Sequence, residues 1–162
     1  MKPPSKTMPE IEIRVRCKRF YLRKKGLKTF CRQVVQSAWQ GYEPAEVSVV
    51  LADDDFVHTL NRDYRGKDAP TNVLSFENAV KPPKGQPWMA GDIIVAYQTV
   101  GREARAQNKS FSAHLAHLLI HGTLHLQGYD HLTARQAKPM EELEIKIMNR
   151  LGYENPYRDA EL

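Results

Sequence analysis

No run of apolar residues in this chain approaches the ~20 needed to cross a bilayer, and Met1 to Glu10, with its prolines and lysines, lacks a signal-peptide core. No membrane partner is expected, and the chain is read as cytoplasmic. Cysteine is scarce as well. Cys17 and Cys31 stand far apart without a C-x-x-C pattern, which argues against a disulfide framework and for two free thiols in a reducing compartment. Internal repeats and low-complexity tracts are missing, and 27% charged against 41% hydrophobic residues is an ordinary globular balance, so neither disorder nor a fibre is indicated. A chain of 162 residues is long enough to bury a real core and too short for two comfortable ones. One domain over 1–162 is expected, with 1–10 and 153–162 loosely ordered.

Positive charge is present and uneven. The formal net charge is +5, yet Arg14, Arg16, Lys18, Arg19, Arg23, Lys24, Lys25 and Lys28 crowd the first 28 residues, with Phe20, Tyr21 and Phe30 among them. Two readings stand: a solvated, solubilising face, or the mixture of cations and rings that tracks a phosphate backbone and stacks on unpaired bases.

Ile11 to Cys17 alternates apolar and polar and reads as a half-buried strand. Leu27, Phe30, Val34, Val35, Ala38 and Trp39 recur at helical spacing until Gly41, whereas Glu46 to Ala52 is strand-like again. Asp53 can cap a short helix carrying Phe56, Val57, Leu60 and Tyr64, with His58 as a surface residue. Leu60 to Glu77 is a polar loop entering a strand at Val73 to Phe76. Residues 81–87, rich in proline, form a loop, and Gly91 to Ala96 a buried strand. Helices are then expected over 97–107, over 111–126 with Leu115, Leu118, Leu119, Ile120 and Leu124 packing inward, and over 134–151 with Met140, Leu143, Ile147 and Leu151 buried. The order of elements predicts an α+β domain, one small mixed β-sheet packed against helices, with its site on a central helix.

That site is the stretch His121-Gly-Thr-Leu-His125-Leu-Gln-Gly128-Tyr-Asp-His131. His121 and His125, four apart, share one helix face. Glycine at 128 can take the left-handed conformation that ends a helix, so His131 is able to double back as a third ligand. Three neutral imidazoles suit Zn²⁺ best, with Ni²⁺, Cu²⁺ or Fe²⁺ also accommodated, and leave a fourth position open. One histidine alone is more often a surface or core residue, but five of the six fall between 114 and 131. His114 and His117 continue the same face; His117 and Asp130 are assigned supporting roles. The spacing matches the metzincin protease signature except that Gly122 stands where those enzymes carry a glutamate base, which argues against peptide hydrolysis. A zinc nucleobase deaminase fails for want of its H-x-E and C-x-x-C elements. In the polar loop, Arg65 offers forked donors to phosphate oxygens, with Lys67 as a second substrate-binding cation; the competing reading for Arg65 is a surface ion pair with Asp63 or Asp68.

The histidine stretch, together with Asn61-x-x-Tyr-Arg-Gly-Lys-Asp-x-Pro-Thr-x-Val-Leu-Ser-Phe76 and Gly91-Asp-Ile, resembles the YbeY family of bacterial metal-dependent endoribonucleases over about residues 45–157. One departure is Asn72, where the family usually has aspartate. The resemblance implies a zinc site at His121, His125 and His131, catalytic roles for Arg65 and His121, and cleavage of single-stranded RNA. It further implies work in 3′-end maturation of small-subunit ribosomal RNA and in ribosome quality control, with the ribosome or its small-subunit proteins as partners and DNA not expected. The alternative is a ribosome-associated RNA-binding or assembly factor whose metal is structural.

Overall fold

The structure is a computed structural model that describes residues 7–158; the loose ordering expected of 1–6 and 159–162 lies outside the described residues. Ten elements follow one another: β1 (Glu10–Val15), α1 (Phe20–Arg23), α2 (Leu27–Ala38), β2 (Ala45–Ala52), α3 (Asp54–Arg65), β3 (Val73–Glu77), β4 (Trp88–Ala96), α4 (Tyr97–Ala106), α5 (Phe111–Leu126) and α6 (Ala134–Arg150). Short polar side chains start three of the helices. Asp53 accepts from the Phe56 amide at 2.9 Å, Ser110 from Ala113 at 3.0 Å and Thr133 from Gln136 at 3.2 Å.

The sheet has the order β1-β2-β4-β3, the first three strands parallel and β3 antiparallel to β4. This is the small mixed sheet of an α+β domain. Alternation along β4 divides the core: Ile93 and Val95 face the larger cluster with α2, α5 and α6, whereas Ile94 and Ala96 join Val57 of α3 on the other side. α5 is apolar on nearly every side and buried, as a central helix must be.

α5 runs antiparallel to β4. Its first residue, Phe111, sits 5.7 Å from the Tyr97 ring just beyond the strand's carboxyl end, and Leu126 lies against Gly91 near the amino end. Gly122 is where helix and sheet come closest: a Cβ there would meet Ile93 Cγ2 at 2.9 Å and Ser75 Oγ at 3.0 Å. A glutamate at 122 would therefore run into the sheet, which accounts physically for the missing protease carboxylate.

The C-terminal segment, expected to be loose, is tied down over 153–158. Lys109 Nζ donates to the Pro156 carbonyl at 2.5 Å, Pro156 is buried, and the Tyr157 hydroxyl donates to Glu144.

Candidate metal centre

α5 holds His121 and His125 one turn apart, and their Nε2 atoms are 3.0 Å from each other. After Leu126 the chain turns back. The Gly128 amide donates to the His125 carbonyl at 3.0 Å and the Tyr129 amide to Leu124 at 3.2 Å, with Gly128 at φ 96°, the paired bonds of a Schellman cap. His131 thereby returns to the helix, its ring 5.2 Å from that of His121 and 5.0 Å from that of His125. One ligand nitrogen from each of the three lies within 4.8 Å of the others, and among the described residues this is the group able to hold a metal ion. Asp130 accepts from the His131 amide at 2.7 Å and so shapes the returning loop.

The donor set fits a transition-metal cation. Burial, then electrostatic repulsion from the adjoining His121 and His131 rings, push His125 down to about 4, so the ring is neutral and its lone pair available near pH 7. The 3.0 Å Nε2 pair is near the ~3.3 Å separation of two imidazole nitrogens on one tetrahedral zinc.

Glu144, in the middle of α6 with 0% exposure, lies directly behind the triad. Its carboxylate accepts from His121 Nδ1 at 2.7 Å and from the Tyr157 hydroxyl, and His117 Nε2 stands 3.3 Å away. Burial alone would raise its pKa, but the hydrogen bonds from His117 and His121 outweigh this and hold it down to about 2. Tyr157 is pushed up by burial and by that carboxylate. Because a carboxylate only accepts, it fixes the proton of His121 on Nδ1 and leaves Nε2 facing His125. The sequence pattern does not single out Glu144. Its one signal is a carboxylate within the apolar stripe of Met140, Ile147 and Leu151.

His117 thus reaches the triad through Glu144, while His114 turns to Glu103 at 2.9 Å; neither joins the three ligand nitrogens. Asn72 also donates to Glu103, at 2.9 Å, a bond that aspartate could not make at neutral pH.

The triad opens into a groove of about 1270 Å³ that Arg65, Lys67, Asp130 and Tyr157 also line. Arg65 donates to the Ser75 carbonyl, and its guanidinium lies 5.2 Å over the Phe76 ring. The competing ion pairs are taken: Asp63 pairs with Arg62 at 3.0 Å and Asp68 with His58 at 2.6 Å. Tyr64, 73% exposed, stands beside Arg65 with its ring edge toward Phe76. Lys67 is exposed at the groove wall, and the Lys67 amide closes the α3 turn on Asn61.

A three-histidine cluster able to hold a metal ion, on the buried helix of an α+β sheet domain, opens beside an arginine into a groove of mixed polar and apolar lining, and this defines the class: a candidate metal-centre protein. The family model described as Endoribonuclease YbeY matches residues 12–152. Two relatives with that name, from Magnetococcus marinus and Rhodopseudomonas palustris strain CGA009, are 53% and 54% identical, each over 70% of this chain and over 84% and 60% of their own. The solution structure of TM1509 from Thermotoga maritima is similar in fold, with TM-score 0.53 and 27% identity across 87% of this chain and 91% of that one. The chain belongs to the YbeY endoribonuclease family.

Proposed function

We propose that this protein is a single-strand-specific, zinc-dependent endoribonuclease of the cytoplasm. It would act in 3′-end maturation of small-subunit ribosomal RNA and in ribosome quality control, in contact with the ribosome or its small-subunit proteins. The observation that carries the reading is the convergence of three imidazoles within 4.8 Å in a groove that Arg65 shares.

His121, His125 and His131 would hold one ion, zinc first and nickel as a substitute. The chemistry such a cation supplies when bound is Lewis acidity toward a phosphodiester and its attacking oxygen. Arg65 gives one N–H to Ser75 and has further donors for a phosphate oxygen, where the guanidinium offsets the negative charge that grows in the transition state. Its place over Phe76 limits the freedom of the guanidinium before substrate arrives. Lys67 adds a second cation at the groove wall. Glu144 keeps the proton of His121 on Nδ1, Asp130 holds the loop that returns His131, His117 meets the same Glu144 oxygen as His121, and Tyr157 holds the other.

Purified protein is expected to cut single-stranded RNA, and Arg65→Ala or His121→Ala to abolish cutting while the fold is retained by circular dichroism. Unchanged cleavage in both variants would remove the mechanism. Retained ribosome assembly in a folded, cleavage-dead variant would favour an assembly factor with a structural metal.

A further inference from the structure

Nine of the chain's 24 Lys and Arg, and none of its 19 Asp and Glu, fall between Ile13 and Tyr42; elsewhere 15 cations face all 19 acids. This is segregation rather than a general basic balance. Arg14 pairs with Glu12 at 3.0 Å and Arg32 reaches the Ile11 carbonyl at 3.4 Å. Arg16, Lys18, Arg19, Arg23, Lys24, Lys25 and Lys28 make no salt bridge with any described residue.

Four of these seven are held in place by rings. Arg16 lies 4.0 Å over Phe56, Arg19 5.2 Å over Tyr97, Arg23 4.6 Å over Phe111 and Lys24 4.7 Å over Phe30. The rings anchor the cations without neutralising them. Among them Tyr21 and Leu22 are exposed by 48% and 82%, an aromatic and an apolar side chain presented to solvent inside a field of positive charge.

The fold sets this belt apart from the metal centre. The Arg16 and Cys17 amides bond the Leu51 carbonyl at 2.9 and 3.0 Å, and Phe20 packs edge-on against Tyr97 and Phe111 at 5.1 and 5.8 Å. The belt therefore crosses the carboxyl ends of the parallel strands and the first turn of α5. His121 and His125 lie roughly 15–21 Å further along that helix, at 1.5 Å rise per residue. No cation of the belt is thus placed to act on the bond being cut.

We infer that residues 16–28 form a second, non-catalytic docking surface for the phosphate backbone of a long RNA whose cut segment lies in the groove. The inference rests on the proposed nuclease reading for its ligand. Seven cations without acidic partners repel one another, and a polyanion that binds them releases its counterions and gains affinity. Forked guanidinium donors and the exposed Tyr21 suit phosphates and unpaired bases.

The test compares wild type with a Lys18→Gln, Arg19→Gln, Lys25→Gln, Lys28→Gln variant, all four positions exposed. The binding probe is a transcript of the 3′ region of small-subunit ribosomal RNA, titrated at several salt concentrations on a His121→Ala background. Failure of the nuclease reading thus leaves the binding result interpretable. The variant is expected to bind more than tenfold more weakly at moderate salt. The slope of log K against log salt should flatten by about 0.7 for each single-stranded phosphate that the variant no longer neutralises. With His121 intact, turnover of a short single-stranded oligonucleotide that fills only the groove should stay within twofold. Arginine at 18, 25 and 28 should keep binding near wild type, which separates charge from folding. Equal affinity and equal salt slope on the transcript would overturn the docking surface. So would belt-dependent sedimentation with phosphatidylserine/phosphatidylcholine vesicles while RNA binding is untouched.

Discussion

Glu144→Gln removes one negative charge from behind the triad and little else, because the amide has nearly the shape of the carboxylate. The native carboxylate, wholly buried, accepts from His121 Nδ1 at 2.7 Å and from Tyr157. Charge-assisted hydrogen bonds are about twice as strong as neutral ones, at ~1.5–3 kcal/mol, so ~1 kcal/mol is lost at His121 alone. A second loss adds to it. An amide can donate as well as accept, so His121 is no longer obliged to protonate Nδ1 and part of the population carries its proton on Nε2, the nitrogen that faces His125. Partners of this kind behind a metal-binding histidine are worth roughly 10–100-fold in affinity, or about 1.4–2.7 kcal/mol. The assay is competition for zinc against a chromogenic chelator, on metal-depleted protein whose fold has been checked by circular dichroism. Tyr157→Phe, which leaves the charge in place, is expected to cost less than tenfold. Zinc affinity within twofold of wild type in Glu144→Gln, with His121→Ala as the control that loses it, would refute the tautomer argument.

Two other outcomes follow from packing and burial. Gly122→Ala places a methyl 2.9 Å from Ile93 and 3.0 Å from Ser75. Overpacking of ~1–3 kcal/mol exceeds the ~1 kcal/mol gained in helix propensity, so the melting temperature should fall by a few degrees; an unchanged or raised value would contradict the close approach. Cys31 is fully buried, and burial raises its thiol from 9.0 to about 12. Its folded pKa is above the unfolded one, so its contribution to stability is complete below pH 9.0 and is lost as pH rises toward about 12, by up to ~1.4 kcal/mol per unit. Urea unfolding should show a steeper fall in wild type than in Cys31→Ala, where the raised Tyr157 still contributes, and identical slopes would dismiss the assignment.

What could be read in the sequence was what local pattern encodes. α5 begins at Phe111 and ends at Leu126 as the apolar spacing implies, because Ser110 caps one end and Gly128 the other. Histidines on one helix followed by a glycine likewise gave the triad, as all of its geometry lies within eleven residues. Three local features escaped. The polar loop expected from Leu60 begins only after Arg65, which is the last residue of α3. α1 is four residues long and too short to show a period, and β4 starts at Trp88 rather than Gly91, three residues nearer the proline-rich loop. The extra length of β4 is set by its partner, since Ala45 pairs with Trp88 and Glu46 with Met89 across the sheet. The strand order and the role of Glu144 were hidden for the same reason. His121 and Tyr157 meet that carboxylate across 23 and 13 positions of sequence, and the three come together only after α6 has packed on α5.

The most direct measurement of the central claim is cleavage of a short single-stranded RNA by metal-depleted protein as zinc is added back. Activity should be absent at the start, rise in proportion to zinc, and level off at one ion per chain, with His131→Ala giving no such rise. Cutting that survives depletion, or an His131→Ala protein that responds to zinc as wild type does, would contradict it.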